Sequence, residues 1–376
     1  MLSSKSIISS LTTADYERAA VFLGNSTNVY TSEFWLDRFK YWWDNNPAMN
    51  ENIERGWIIL GEGGQIVGFL GNIPVKYYIK GKDEIVCCLT SWYVKETYRH
   101  KSLGLLAPFL KQREPILLLA TTPSDKVSIM LLRLGFHDLE SKWLTRDALY
   151  PVDLSESLDL FARRIALNKS IFFLFKLSGT FVLPALKIFQ IINKSRMSIA
   201  DKNYTFREID RFDSSYALLW DEFKKKYDLL AVRNVETLNW FFFGSKMLAS
   251  GRKVIEIRCD NNLAGYVAVK EVAYSVTEKT YYYLEVVDMV VLDGKPAGYH
   301  TVLKGLHWLA MKSEKKITFI KVSSFDDSVD NNLYKYGFFK QKGESRFLYK
   351  TIGGINPTAI SNFYATAIDG DRCFFP

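Results

Sequence analysis

The period of the hydrophobic positions changes along the chain in a fixed order. "ADYERAAVFLGN" and "TSEFWLDRFKYWWDNNP" repeat apolar residues every three or four positions, which predicts two amphipathic helices, the second capped by Thr31 or Ser32 and stopped by Pro47. Strand-like runs follow: "GWIILGE", a turn at Gly63 and Gly64, "QIVGFLGNIPVKYYI", a turn at Gly81 and Lys82, then "DEIVCCLTSWYV". After the stretch "YRHKSLG" come a helix beginning "LLAPFLKQ", a strand "PILLLAT", a helix "SDKVSIMLLRL" and a strand starting at "GFHDLESKWL".

The same order returns two hundred residues later. "SSYALLWDEFKKK" and "VETLNWFFFGSKM" read as helices, "RKVIEIRCDNNLAGYVAVKEVAYSV" as a hairpin and "KTYYYLEVVDMVVL" as a third strand. The helix "GYHTVLKGLHWLAM", strand "KITFIKV", helix "DSVDNNLYKY" and strand "GFFKQKGESRFLYK" complete it. Trp43 to Gly68 and Trp240 to Gly265 are both 25 residues; Gly68 to Gly104 is 36 against 33 for Gly265 to Gly298; Gly104 to Phe136 is 32 against 40 for Gly298 to Phe338. A period near 197 residues marks an internal duplication.

With 376 residues, 48% of them hydrophobic, the chain can bury more than one core. The net charge of +8 belongs to one segment: residues 160 to 200 hold no acid and seven bases, Arg163, Arg164, Lys169, Lys176, Lys187, Lys194 and Arg196. The rest is near neutral, which argues against a general nucleic-acid binder. Four cysteines, Cys87, Cys88, Cys259 and Cys373, match neither a disulfide framework nor zinc spacing, so no metal and a reducing compartment are expected. The N-terminus lacks a signal-peptide pattern, and the expected location is cytoplasmic.

"YRHKSLG" before one helix and "LLRLGF" closing the next, in this strand order and repeated, resemble the GNAT acyltransferases. The resemblance implies an α/β (α+β) fold with two tandem GNAT-like domains, each a mostly antiparallel mixed sheet flanked by helices. It also implies coenzyme A wedged where two strands splay apart, and acyl transfer from a thioester to an amine. The expected divisions are an N-terminal acyl-CoA-binding domain over 1–148, a connector over 149–202, a C-terminal domain over 203–351 and a tail over 352–376.

A loop entering a helix N-terminus presents unpaired N–H groups to phosphate. Here those of Leu103, Gly104 and Leu105 would face the pyrophosphate, with Arg99, His100 and Lys101 as counter-charge and the strand end Trp92, Tyr93 and Val94 leading in. Ser102 replaces the first glycine of the family pattern; its other reading is a plain N-cap beside solvated bases. In the second half, "DGKPAG" puts Asp293 and Pro296 at those places, so donor binding is expected in the first half alone.

The family often places a base on the strand before the loop and a tyrosine acid five residues before the corner phenylalanine. The first half has Leu89, Thr90, Ser91 and Leu131 there, and His100 and His137 are its only candidates. The second half has Tyr283 and Glu285 on one strand face and Asp288 on the other unless a bulge intervenes, and these three are the catalytic candidates. Burial would raise a carboxylate's pKa and suit it to proton acceptance, while an exposed edge or a lysine partner would make it structural. The composite expectation is a donor held by the first half and an acceptor shaped by the second.

Residues 171 to 192 are apolar but broken by Lys176, Gly179, Pro184 and Lys187, which excludes a span. They fit either a helical hairpin packed on the protein or a basic amphipathic pair on the anionic inner face of a membrane. "DGDR", Asp369 to Arg372, reads as a turn in the tail; the other reading is that it reaches back to an active site, though nothing in its spacing says so. The expected activity is an acyl-CoA-dependent N-acyltransferase, acetyl-CoA its donor, acting on an amino sugar or cell-surface precursor, small or lipid-linked. Its rivals are a Fem-type ligase using charged tRNA and a non-catalytic CoA-binding or scaffolding protein.

Overall fold

The computed structural model describes residues 7–27, 29–138, 146–165, 188, 204–245, 247, 251–292, 297–323, 333, 337–342, 346–352 and 363–371. In chain order the strands are β1 (Ile7–Ser10), β2 (Gly56–Leu60), β3 (Ile66–Ile79), β4 (Lys82–Val94), β5 (Leu117–Ala120), β6 (His137–Asp138), β7 (Arg146–Pro151), β8 (Tyr204–Ile209), β9 (Leu229–Ala231), β10 (Arg252–Cys259), β11 (Asn262–Val276), β12 (Lys279–Val291), β13 (Ile317–Ser323), β14 (Phe339–Lys342) and β15 (Leu348–Thr351). The helices are α1 (Tyr16–Thr27), α2 (Ser32–Phe39), α3 (Ser102–Leu110), α4 (Asp125–Arg133), α5 (Leu154–Ile165), α6 (Tyr216–Lys224), α7 (Val235–Phe243) and α8 (Ala297–Lys312). The basic run 171–192, the loop at Asp293 and Pro296, and Tyr334 lie outside the described residues, apart from Ile188, which is exposed. No described helix is long and apolar enough to cross a membrane.

Short side chains start the helices, Thr31 as one of the two caps expected. Thr31 Oγ1 accepts from the Phe34 N–H at 3.3 Å to start α2, Ser124 does the same for Val127 in α4, and Asn234 for Thr237 in α7. Trp35, Trp42 and Trp43 are core residues, each at most 2% exposed.

The chain forms two compact units. The first gathers Met1–Ser141, Lys224–Ser250 and Ser345–Pro376; the second gathers Lys142–Phe223 and Gly251–Glu344. They differ from the contiguous ranges expected because each closing strand read from the sequence is two strands, and because the stretch holding β9 and α7 joins the first unit, β9 by pairing with β3. In the first unit the sheet order is β1-β2-β3-β4-β5-β15-β6, with β9 added to β3. In the second it is β14-β7-β13-β12-β11-β10-β8. Each half thus ends its own sheet with a short strand, β6 or β14, and supplies the next strand, β7 or β15, to the other sheet. The N–H and C=O groups of an antiparallel edge are satisfied by any strand in register, so pairing does not require a neighbour in sequence.

Both sheets split at corresponding places. Strand β4 pairs in parallel with β5 only from Val86 to Cys88, and its run from Leu89 to Val94 keeps pairing with β3 alone. Strand β12 pairs with β13 from Tyr282 to Val286 and continues to Val291 beside β11 alone. Each outlying run contains a bulge. In β4, Ser91 and Trp92 face one residue of β3, with Ser91 at φ 49°; in β12 the register shifts at Val287. The core of the first unit packs Cys87 and Leu89 of β4 and Leu118 of β5 against Leu105, Leu106 and Phe109 of α3 and Leu131 of α4. That packing fixes the inner end of the cleft and leaves its mouth to the chemistry below.

Candidate functional site

The basic stretch is more helical than a loop. Glu96–Lys101 forms a 3-10 turn that runs directly into α3. The Ser102 N–H donates to the Arg99 carbonyl, and the residue at the N-cap of α3 is Lys101, which makes no side-chain cap bond, so Ser102 is not the cap. Arg99 is exposed and pairs with an exposed Glu96 at 3.3 Å, and His100, Leu103 and Gly104 are exposed beside it. Lys101 and Ser102 are half-buried, and Leu105 is core. The stretch therefore presents cations to solvent at the end of β4, with Leu105 as its anchor. Of the strand residues leading in, Val94 is buried, Tyr93 packs edge-on against Phe22, and the half-buried Trp92 keeps its indole N–H buried without a hydrogen-bond partner among the described residues.

The mouth of the cleft between β4 and β5 holds a residue from the far end of the chain. The Asp371 carboxylate accepts from Thr121 Oγ1 at 2.8 Å and from Thr122 Oγ1 at 2.8 and 2.7 Å, and Thr90 of β4 bonds it as well. Its own N–H donates to Thr121 Oγ1 at 3.0 Å. Asp371 is 5% exposed, and no described cation pairs with it. Burial pushes its pKa up, against the opposing pull of the Thr122, Thr121 and Thr90 hydroxyls. The turn in the tail thus reaches back to this site, and a carboxylate stands where the first half of the sequence offers none.

A buried ion pair fixes the tail just before that point. Arg233 donates to Asp369 Oδ2 at 2.8 Å, to Thr366 Oγ1 at 3.0 Å and to the Ala231 carbonyl at 2.8 Å, with its guanidinium 5.0 Å from the Tyr364 ring centre. Asp369 Oδ1 accepts from the Ala231 N–H at 3.1 Å, and Tyr77 donates to the Asp369 carbonyl at 3.0 Å. At Gly370 an added Cβ would fall 2.0 Å from Thr121 Oγ1, so the backbone is pressed against that side chain and only glycine fits.

The candidates of the second unit are held differently. The shift at Val287 pairs Glu285 with Lys270 and Asp288 with Ala268, two β11 residues on one face, so Asp288 shares the face of Glu285. Glu285 Oε1 meets Lys321 Nζ at 3.2 Å, and Lys321 also meets Asp147 at 3.3 Å, while Ser323 donates to Asp147 at 3.0 Å. Asp288, fully buried, accepts from Tyr266 OH at 2.5 Å. Tyr283 stacks on Phe319 with ring centres 4.6 Å apart. The lysine partner weighed from the sequence is present. Of the remaining candidates, His137 of β6 is exposed beside Tyr349, and Leu131 lies in the core. The Cys87 thiol is buried and pushed up to about 12 by desolvation, so it is no nucleophile. No described cluster of His, Cys, Asp and Glu could hold a metal.

The geometry has counterparts among solved structures. Saccharomyces cerevisiae N-myristoyltransferase with bound myristoyl-CoA matches over 98% of this chain and 84% of its own, at 12% identity and a TM-score of 0.53. A probable N-acyltransferase from Enterococcus faecalis V583 matches over 93% and 73%, at 9% identity and a TM-score of 0.58. A GCN5-related N-acetyltransferase from Anabaena variabilis ATCC 29413 matches over 93% and 73%, at 10% identity and a TM-score of 0.57. No family model and no curated protein matches the sequence. At these identities the likeness establishes the fold alone: two mixed sheets flanked by helices, as in these structures.

Proposed function

We propose that the protein is an N-acyltransferase that takes its acyl group from acyl-CoA, acetyl-CoA being the first donor to test, and gives it to an amine on an amino sugar or cell-surface precursor. The observation that carries this is the Asp371 carboxylate, desolvated and held by three hydroxyls in the cleft between β4 and β5. An amine arrives at neutral pH as an ammonium ion and must lose a proton before it can attack a thioester. Asp371 takes that proton, the nitrogen lone pair forms the new bond to the acyl carbon, and the carbon–sulfur bond breaks. The departing thiolate then recovers that proton from the Asp371 carboxyl, and the second proton of the attacking nitrogen is released to solvent as the neutral amide forms. The buried Trp92 indole N–H, beside the bulge, supplies a donor for the acyl oxygen. Lys95, Arg99, His100 and Lys101 draw in the phosphates.

Thermal unfolding with millimolar acetyl-CoA tests donor binding, with Gly104→Asp as the control. A ligand at 100 times its Kd stabilises by about 2.7 kcal/mol, a clear rise in Tm. An added Cβ at Gly104 meets only the tip of Ile8, at 3.1 Å, so the variant is expected to fold and to lose the rise through charge repulsion. No rise in the unaltered protein would remove acetyl-CoA and make charged tRNA the next donor to try.

A further inference from the structure

We infer, on the reading of Asp371 as the proton acceptor, that Arg233 is a positioning residue: through its buried pair with Asp369 it holds the C-terminal tail so that the Asp371 carboxylate stands among the Thr90, Thr121 and Thr122 hydroxyls. Stability alone does not account for this pair. Two charges taken out of water recover their hydration only with complete hydrogen bonding, and apolar replacements of equal volume usually match or exceed them. A buried pair does supply a single geometry. The two side chains close the turn from Thr366 to Asp369: Asp369 accepts from the Thr366 N–H and hydroxyl, and its N–H returns a bond to the Thr366 carbonyl at 3.1 Å. The fork of Arg233 grips Thr366 and Asp369 together while bonding the Ala231 carbonyl beside β3.

Asp371 follows Asp369 by two residues, at most about 7 Å of extended chain. Between them Gly370 is pressed against Thr121, so the tail has no slack. A turn that tilts or slides withdraws the carboxylate from the hydroxyls and exposes it to water. Thr121 and Thr122 bind the carboxylate, but Arg233 decides whether it arrives.

The test is the neutral pair Arg233→Met with Asp369→Asn, which leaves no unpaired buried charge. Asp371 is followed by the pH titration of its carboxyl carbon in selectively labelled protein, the signal being assigned by its loss in Asp371→Asn. We expect the titration midpoint to fall to that of an ordinary carboxylate, kcat to fall at least tenfold, and the stabilisation by acetyl-CoA to persist. The acid limb of the remaining activity should move to lower pH with the midpoint, a change that loss of rigidity alone would not produce. An unchanged midpoint and kcat in the folded double variant would overturn the role of Arg233. Should the double variant not fold, Arg233→Lys keeps the charge and loses the fork. There we expect an intermediate midpoint and kcat, and values equal to the unaltered protein would overturn it equally. The titration reports tail position without turnover: full activity in Asp371→Asn would end the base reading while leaving the titration to judge Arg233.

Discussion

The two sheets of this molecule share a strand order, a splay and a bulge at the splay, yet their carboxylates live in opposite surroundings. In the first unit Asp371 meets hydroxyls and no cation among the described residues, and burial raises its pKa. In the second, Glu285 and Asp147 share the Lys321 ammonium across three adjacent strands. On α5, Asp159 accepts from Tyr281, Lys279 and Arg163. Burial pushes that carboxyl up, but the three bonds outweigh it and hold it well below the usual range. A carboxylate that a cation already satisfies gains little from a further proton; one held by neutral donors in a dry site gains a great deal. The two halves share a backbone plan and differ in how their carboxylates are satisfied.

Exchanging charges for amides in each unit would break or confirm this contrast. Asp371→Asn is expected to lower kcat by 10²- to 10⁴-fold, the usual contribution of a general base, while leaving acetyl-CoA binding intact. Glu285→Gln leaves Lys321 its pair with Asp147, and its turnover should stay within a few-fold of the unaltered protein. Steady-state kinetics on the two variants decide the matter, and the reverse pattern would move the chemistry to the second unit.

What the sequence reveals follows from the range of the interactions involved. Helices, hairpins and caps depend on neighbours within a few residues, and Thr31, one of the two expected residues, caps its helix. The duplication is legible because Trp43 and Trp240, or Gly68 and Gly265, keep their spacing. The exchange of β7 and β15 is not legible. Periodicity tells which face of a strand is buried, but four residues such as "LYKT" carry no mark of which edge they join. The tail carboxylate was hidden for a similar reason. Asp371 meets Thr121 250 residues away, in a tail with no counterpart in the repeat. The clue available was the pair of acids around Gly370, and a glycine between acids usually means a turn. The bulge at Val287 likewise turned Asp288 onto the face of Glu285 without a residue type that announces it.

Stability against pH sharpens the contrast in the second unit first. Asp159 has a folded pKa below its unfolded one, so it contributes stability that is present above the unfolded value, near 4, and is lost as the pH falls through the folded one. Asp159→Asn strips Lys279 and Arg163 of their shared acceptor, and a charged hydrogen bond is worth on the order of 2 kcal/mol. Urea unfolding should show a loss of that size at pH 7 that shrinks steadily below about pH 4. A loss independent of pH would mean that packing, not charge, is what Asp159 supplies.

Asp371 should give an effect of opposite sign. Its folded pKa lies above its unfolded one, so the folded state favours the protonated carboxyl, and the stability this brings is complete at low pH and disappears as the pH rises through the folded value. Above that value the protein keeps an ionised carboxylate in a dry site with no described cation beside it, at a cost to the fold. Asp371→Asn removes the charge while its amide oxygen can still accept from Thr121 and Thr122. The variant should therefore be inactive yet more stable than the unaltered protein at pH 8, with the advantage gone below about pH 4. A functional carboxylate is kept in spite of its cost to the fold, whereas a structural one is kept because of its gain. A variant that lost stability at pH 8 would place Asp371 with Asp159 among the side chains that hold the protein together, and the difference between the two units would lie in their strands alone.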